Sequence, residues 1–209
     1  MENQEEIWDN LAVPWKSSRM RPIEAATEFL KDKTGRILDL GCGSGRNFSV
    51  INGKVYGVDF SGKMLELAKK FVDENKIEAE LIKADATNLP FGDNFFDASI
   101  FVAALHCIVT KEKREKSLKE LLRILKPGAE AFIAVWDYDQ EKFKSKEKES
   151  FISWTVGDKK YMRYYYLYDR DEFINLLEKT GFEIIKIMSG KSTSGFHSKK
   201  NIVVIVRKP

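Results

Sequence analysis

Three glycines at alternate positions, Gly41, Gly43 and Gly45, form the stretch of this chain that most directly indicates chemistry. They follow Ile37, Leu38 and Leu40, three apolar residues around Asp39 that are typical of a short buried strand. Glycine adopts positive φ without strain and has no side chain, so such a turn lets the backbone approach a ligand closely. Residues 46–50 are expected to begin a helix whose free N–H groups face the bound molecule. Together they predict a nucleotide-type binding site.

Acidic residues end the next two predicted strands. Residues 54–59 form an apolar strand that ends in Asp59, where an acid accepts hydrogen bonds from ribose hydroxyls. Residues 79–86 form a third predicted strand that ends at Asp85. Ser61 is expected to cap the helix between these strands. Three acids at successive strand ends, beside a glycine turn, favour a ligand site over unrelated turn or cap residues.

The spacing of the glycines distinguishes two kinds of cofactor site. A dinucleotide fingerprint is G-x-G-x-x-G, whereas here the third glycine, Gly45, comes one place early. Asp39 lies two residues before Gly41. This variant resembles motif I of the class I S-adenosylmethionine methyltransferases, and it disfavours a dehydrogenase. The resemblance implies that the acid at the third strand end, Asp85, contacts the adenine amino group of the cofactor.

The same resemblance implies S-adenosylmethionine as the cofactor and a set of residues around it. These belong to the glycine turn, to the strand ends and to the residues just after them: Asp39, Gly41, Cys42, Gly43, Gly45, Asn47, Asp59, Phe60, Ser61, Asp85, Ala86, Val102 and Ala103. We expect no metal site, because the chain has only two cysteines, Cys42 and Cys107, and one of them lies inside the glycine turn.

Length and composition set the broad class of the protein. The 209 residues suit a single domain over 1–209 with a full core. No apolar run approaches the ~20 residues that span a bilayer, and the acidic N-terminus lacks the features of a signal peptide. We therefore expect a cytoplasmic protein with no membrane partner. The net charge of +3 permits an RNA partner, and no DNA partner is expected.

The order of the predicted elements indicates a doubly wound α/β fold. Strands alternate with helices as far as residues 131–136, and residues 182–188 and 201–207 are expected to form a terminal antiparallel hairpin. This order matches the mostly parallel, seven-stranded, Rossmann-like sheet of class I methyltransferases. A helical cap is expected over about 1–34, with its first helix stopping before Pro14. An exposed insertion with little to bury is expected over about 138–160.

Four short motifs narrow the resemblance. They are Trp8-Asp9-x-x-Ala12 with a serine–arginine pattern before Pro22, Ala103-Ala104-Leu105-His106, Val135-Trp136 followed by Gln140, and Met162-Arg163-Tyr164-Tyr165-Tyr166-Leu167-Tyr168. They resemble motifs of the tRNA wobble-uridine carboxymethyl methyltransferases, including the methyltransferase half of the dioxygenase-fused version. The chain departs from that pattern at Cys107 and Tyr166, where the family often has histidine, and at Gly128-Ala129, which replaces a Gly-Gly pair.

The narrower resemblance implies methyl transfer to the carboxylate of 5-carboxymethyluridine at tRNA position 34, which gives the methyl ester. It implies catalytic roles for Arg19 and Arg163, which would hold the carboxylate or a nearby phosphate, and for His106, which would donate to the uracil or orient the carboxylate.

The narrower resemblance also implies tRNA as a partner. Lys191, Lys199 and Lys200 are candidates to contact its phosphates, but exposed lysines without such a role are the more common case. The family often works with a small zinc-binding activator, which would contact the third strand. The charged residues of that strand, such as Glu80 and Lys83, are equally typical of a protected sheet edge, so the sequence leaves this partner open.

Other interpretations of the same residues remain open at this point. Arg19 and Arg21 are equally consistent with solvated loop residues, and His106 with a packed core histidine. Tyr164, Tyr165 and Tyr166 are candidates to stack on an extruded base, but such strips are more often core. A methyltransferase acting on a quinone or small carboxylic acid would use the same cofactor half. So would a non-catalytic cofactor-binding subunit of an RNA-modifying complex.

Overall fold

A seven-stranded sheet forms the centre of the protein in this computed structural model, which describes residues 3–143, 145–188 and 201–209. The strand order is β3-β2-β1-β4-β5-β9-β8. Strands β1 to β5 are parallel, whereas β9 is antiparallel to both β5 and β8. The strands are β1 Arg36–Leu40, β2 Lys54–Asp59, β3 Ala79–Lys83, β4 Phe96–Val102, β5 Leu125–Trp136, β8 Glu183–Met188 and β9 Asn201–Arg207. This topology confirms the predicted fold class.

Helices cover both faces of the sheet, as the buried, apolar strands require. The helices are α1 Gln4–Ser18, α2 Glu24–Leu30, α3 Gly62–Asn75, α4 Lys111–Ile124 and α5 Arg170–Thr180. Leu118 and Phe173 place α4 and α5 in the apolar cluster on one face, which includes Leu38 of β1. On the other face α2 packs through Leu30 against Ile37, while α3 packs beside β2. The carboxyl ends of β1 to β4 therefore meet at one edge.

Helix α1 does not stop before Pro14, so that expectation is wrong. The helix continues through Pro14 to Ser18, although proline removes a backbone hydrogen bond inside a helix. Its last turn is held by aromatic packing, because the Trp15 ring lies 4.9 Å from Trp8 and 5.4 Å from Trp154. This long-range contact offsets the local cost of the proline.

The expectation of a helix after the glycine turn is also wrong. The structure has a single 3₁₀ turn, Phe48–Val50. The chain must return to β2 at Lys54, which leaves only three residues after that turn. The buried Phe48 ring fixes the turn, because a Cβ built on Gly57 would lie 2.6 Å from it. Close packing of the ring against glycine backbone therefore takes the place of a longer helix.

The stretch 138–160, expected to be an exposed insertion, contains regular structure. It includes a 3₁₀ turn, Glu141–Phe143, and strand β6 Glu149–Val156, which pairs with β7 Lys159–Tyr166 in a separate antiparallel hairpin. Alternate residues of β6 are exposed, but Phe143 is buried, so the expectation of little to bury is wrong there. Trp136 stacks on Phe143, a contact that local composition does not reveal.

The terminal strands β8 and β9 pair as expected. The loop between them, including lysines 191, 199 and 200, lies outside the described residues. Among the helices of the described ranges, none combines the length and apolar character that crossing a bilayer requires.

Candidate active site

A cavity of about 470 Å³ lies at the carboxyl edge of the sheet, over the glycine turn. This volume is within the usual range for small-molecule sites. Its walls come from α1, from the glycine turn, from the ends of β2, β3 and β4, and from the start of α4. The fold therefore brings the predicted strand-end residues together around one cavity.

The glycine turn uses its positive φ angles to pass close to neighbouring backbone. Gly41 has φ +69°, and a Cβ placed there would lie 2.3 Å from the Ala104 Cβ. Gly43 has φ +55°, and its N–H donates to the Asp59 carboxylate at 2.8 Å. A Cβ on Gly43 would meet nothing nearer than the Met64 sulfur at 3.9 Å. Gly41 thus allows close packing, whereas Gly43 leaves cavity space open.

The three predicted acids occupy different positions around this turn. Asp59 lines the cavity, and its two carboxylate oxygens accept from the N–H groups of Gly43 and Ser61. Asp85 also lines the cavity and accepts from the Thr87 N–H at 2.8 Å. Asp39 is buried behind the turn, where it accepts from the Asn47 amide at 3.4 Å. The carboxylates of Asp59 and Asp85 therefore face the cavity, whereas Asp39 lies behind the glycine turn and contacts Asn47.

Burial shifts the ionisation of two of these carboxyls. It raises the pKa of Asp39 to about 7, against the smaller lowering effects of Asn47 and Arg46. It raises the pKa of Asp59 to about 6, although hydrogen bonds from Ser61 and Gly43 oppose the shift. A positively charged group in the cavity would favour the ionised forms.

Helix α1 closes the cavity on one side and is anchored to α3 and β3. Asp9 accepts from the Ser61 hydroxyl at 2.5 Å and from the Lys63 N–H at 3.1 Å. Glu5 forms an ion pair with Lys83 at 2.8 Å. These contacts tie α1 to the two elements that follow Asp59.

Trp8 and Trp15 of α1 line the cavity and are absent from the set of residues predicted to form the site. They lie seven positions apart, so both fall on one side of the helix. This seven-residue spacing is the feature of the sequence from which the two tryptophans could have been predicted to share one face of the helix.

Two arginines lining the cavity form a positive cluster with a third, Arg163, beside them. Arg19 and Arg46 line the cavity, and burial lowers the pKa of each, with a further lowering from a neighbouring arginine. In the described part of the chain, the arginines that pair with carboxylates within 4 Å are Arg123 and Arg207. Among the described residues, Arg19, Arg46 and Arg163 form no ion pair within 4 Å, although the buried Asp39 carboxylate behind the turn attracts Arg46. The excess of positive charge suits an anionic ligand.

Arg163 lies outside the cavity wall. It is 3% exposed, and its guanidinium lies 5.0 to 5.8 Å from the rings of Trp8, Trp15, Trp154 and Tyr165. One nitrogen donates to the Tyr165 hydroxyl at 2.6 Å, while Nε has no partner. Because Trp8 and Trp15 line the cavity themselves, Arg163 supports that wall from behind.

His106 is also placed behind the cavity. It is 1% exposed, its Nδ1 accepts from the Trp136 N–H at 3.1 Å, and burial lowers its pKa to about 3. Its ring stacks on the Tyr165 ring. Tyr165 also stacks on Trp136, with the two ring centroids 4.4 Å apart and an interplanar angle of 3°. Of the two alternatives for Tyr165, the structure favours the core, because neighbouring rings already stack on it and its ring is buried.

The structure separates the predicted residues into two groups. Asp39, Gly45, Ser61, His106 and Arg163 lie behind the cavity surface and support it. Those that line the cavity are Arg19, Gly41, Cys42, Gly43, Asn47, Asp59, Phe60, Asp85, Ala86, Val102 and Ala103.

Comparison with known proteins gives the class of this chain. A sequence family described as a methyltransferase domain matches residues 38–133. A protein of Encephalitozoon cuniculi named as a methyltransferase is 31% identical over 190 residues, which is 86% of each chain. A solved S-adenosylmethionine-dependent methyltransferase from Methanosarcina mazei superposes with a TM-score of 0.72 at 21% identity, covering 90% of this chain and 98% of that one. The chain therefore belongs to the methyltransferases, and its fold is that of the S-adenosylmethionine-dependent enzymes.

More specific relatives are longer than this chain. The tRNA (carboxymethyluridine(34)-5-O)-methyltransferase of Arabidopsis thaliana is 31% identical over 159 residues, which is 75% of this chain and 37% of that protein. The chain thus spans just over a third of that relative's length. A chain from the complex between the Haloferax volcanii Trm112 methyltransferase activator and its methyltransferase has a TM-score of 0.71 at 16% identity, with 99% and 98% coverage.

The cavity fits S-adenosylmethionine, the cofactor of this family. When bound, this cofactor supplies an electrophilic methyl group on a sulfonium centre. Gly43 leaves space at the turn, Asp59 presents a buried carboxylate, and Asp85 lies at the end of the neighbouring strand. The chain's own task is to align an acceptor with that methyl group and to exclude water.

We expect cofactor binding to depend on pH, because two carboxyls at the site are buried. S-adenosylmethionine has a sulfonium and an ammonium group against a single carboxylate, so it favours ionised Asp39 and Asp59. Because the pKa of Asp39 is about 7 and that of Asp59 about 6, lowering the pH from about 7.5 to about 5.5 should raise the dissociation constant roughly tenfold. Calorimetric titration at the two pH values measures this change. Asp39→Asn should bind more weakly with a flatter profile, and pH-independent wild-type binding would contradict the assignment.

Proposed function

We propose that this protein transfers the methyl group of S-adenosylmethionine to the carboxylate of 5-carboxymethyluridine at the wobble position of tRNA. A carboxylate oxygen forms the new bond to the methyl carbon, the carbon–sulfur bond breaks, and S-adenosylhomocysteine leaves. The carboxylate is already ionised at pH 7, so no proton has to be removed. The protein needs a cationic clamp for the acceptor rather than a base.

The observation that carries this proposal is the arginine cluster at the cavity. Arg19 lines the cavity with its guanidinium 3.6 Å above the Trp15 ring. Burial lowers the pKa of Arg46, and the neighbouring charge of Arg19 lowers it further. A planar guanidinium binds a carboxylate through two parallel hydrogen bonds. Stacking on tryptophan fixes the plane of Arg19 and so prepares it for that geometry.

Groups that could remove a proton are poorly placed in the described part of the cavity. His106 lies behind the wall and stays neutral, with its Nδ1 already accepting a hydrogen bond. Burial raises the pKa of Cys107 to about 12 and also raises that of Cys42. Glu5 is paired with Lys83, and Asp59 and Asp85, which also line the cavity, are assigned to the cofactor. This arrangement favours an acceptor that needs no base over a phenol or hydroxyl.

The proposal includes two partners, the tRNA and a small activator subunit. Strand β3 is an edge strand. The Glu78 C=O and the Ala84 N–H point toward β2, so the backbone groups of Ala79, Leu81 and Lys83 face outward in a parallel ladder. A protein strand could pair with that edge. The Haloferax complex and the Arabidopsis relative support these partners.

Radiolabelled methyl transfer tests the proposal. Bulk tRNA that lacks wobble methyl esters is incubated with the protein and labelled S-adenosylmethionine, with and without the activator, and the digested nucleosides are identified by mass. We expect label in the methyl ester of 5-carboxymethyluridine. Cofactor binding without any labelled tRNA would overturn the tRNA assignment. Turnover on small acids or quinones would then indicate a small-molecule enzyme, and its absence a non-catalytic subunit.

A further inference from the structure

The β6–β7 hairpin carries cationic and aromatic side chains outward from the cavity. We propose that one face of this hairpin, formed by Trp154, Tyr161 and Lys159, is a docking surface for the single-stranded RNA next to the modified nucleotide. This inference rests on the proposed function, because it places the flanking RNA relative to the same cavity. We call these three residues the hairpin track.

The register of the hairpin decides which residues share this face. Trp154 pairs with Tyr161, Val156 with Lys159, and Thr155 with Lys160. Directly paired residues lie on the same side of a sheet, and successive residues alternate between sides. Lys159 is therefore on the side of Trp154 and Tyr161, whereas Lys160 is on the opposite side.

The track is continuous with the cavity wall. Arg19, which lines the cavity, lies 3.6 Å above the Trp15 ring and 5.5 Å from the Trp154 ring. Trp154 contacts Trp15 at 5.4 Å, and the Lys159 Nζ lies 5.0 Å from the Tyr161 ring. Since a strand rises about 3.4 Å per residue, Lys159 lies roughly 7 Å beyond Tyr161 along β7. The track therefore runs from the cavity wall at Arg19 and Trp15 through the two rings to an exposed cation.

The chemistry of the track suits an RNA single strand. Trp154 and Tyr161 are partly exposed and Lys159 is exposed, so the rings and the charge are accessible. Aromatic faces stack on unpaired bases of any sequence, and lysines bind the phosphates between them. The Tyr165 ring beside His106 is buried, whereas Trp154 and Tyr161 keep part of their surface exposed although each contacts neighbouring side chains. The track thus offers exposed ring surface for base stacking, which Tyr165 does not.

A matched pair of lysine variants tests the track. The ligand is an anticodon stem-loop that bears 5-carboxymethyluridine, and binding is followed by fluorescence anisotropy with S-adenosylhomocysteine present, over a series of salt concentrations. We expect Lys159→Gln to raise the dissociation constant roughly fivefold at about 0.1 M salt and to reduce the salt slope by about 0.7, the effect of one lost phosphate contact. Lys160→Gln should stay within about twofold of wild type.

The outcomes separate this inference from the function on which it rests. If wild type methylates the stem-loop and Lys159→Gln binds it like wild type, the track is wrong and the function stands. Equal losses in both lysine variants would also overturn it, since they indicate diffuse attraction rather than one face. If wild type neither binds nor methylates the stem-loop, the proposed function and the track fail together. Methylation of the free nucleoside by Lys159→Gln at the wild-type rate shows that the cavity is intact.

Discussion

Replacing Gly41 by alanine should abolish binding of S-adenosylmethionine and lower the free energy of unfolding by roughly 3 kcal/mol. Gly41 has φ +69°, which costs an L-residue strain, and the new Cβ would lie 2.3 Å from the Ala104 Cβ. Neither atom belongs to a flexible side-chain end, so the turn itself must shift. Because the same turn carries the Gly43 N–H that binds Asp59, the cofactor site shifts with it. Cofactor titration and chemical denaturation measure the two effects.

Two control variants separate strain from collision. Gly128→Ala has a similar φ of +78° with nothing within 4 Å of the new Cβ, so it should lose only about 1–2 kcal/mol and keep cofactor binding. The double variant Gly41→Ala/Ala104→Gly removes the collision and should recover much of the lost stability. If Gly41→Ala behaves like Gly128→Ala, close packing of the turn is not what the site requires.

Replacing Arg19 by methionine should reduce kcat/KM for the carboxylate acceptor roughly 100-fold. The methionine keeps an apolar stem against Trp15 but removes the guanidinium that lines the cavity. The affinity for S-adenosylmethionine should change little, because the effect is assigned to the acceptor. Single-turnover methyl transfer and a separate cofactor titration give the two quantities.

Arg21→Met is the matched control, since Arg21 is two residues away, exposed and outside the cavity lining. It should transfer methyl groups at the wild-type rate. A parallel loss of cofactor affinity in Arg19→Met would give Arg19 a different role. If Arg19→Met loses cofactor affinity by the same factor as kcat/KM, then Arg19 binds the carboxylate of the cofactor and not the acceptor.

The cofactor half of the site could be predicted from local sequence. Glycine spacing and strand-end acids are properties of short segments, and parallel strands bring their carboxyl ends to one edge. Gly43, Asp59 and Asp85 therefore line the cavity as expected. The residues that hold them could be predicted only in part, because the Asp9 contact with Ser61 joins two helices far apart in sequence.

The part of the site that would hold the methyl acceptor depends on contacts between residues far apart in the sequence. His106 and Arg163 were placed near the edge by their motifs, but only the three-dimensional packing of Trp136, Tyr165 and Trp15 decides that both lie behind the wall. The continuation of α1 through proline likewise depends on a hairpin more than a hundred residues later. Short motifs therefore predicted the region but not which side chains face the cavity.

The measurement that tests the central claim most directly compares two stem-loops that differ only at the acceptor. One bears 5-carboxymethyluridine at the wobble position and the other bears the uncharged 5-carbamoylmethyluridine. Single-turnover transfer from labelled S-adenosylmethionine is measured on each, with the activator present. We predict methyl ester formation on the carboxylate and no transfer to the amide. Equal methylation of both, at a ribose or base position, would contradict a carboxylate acceptor held by Arg19.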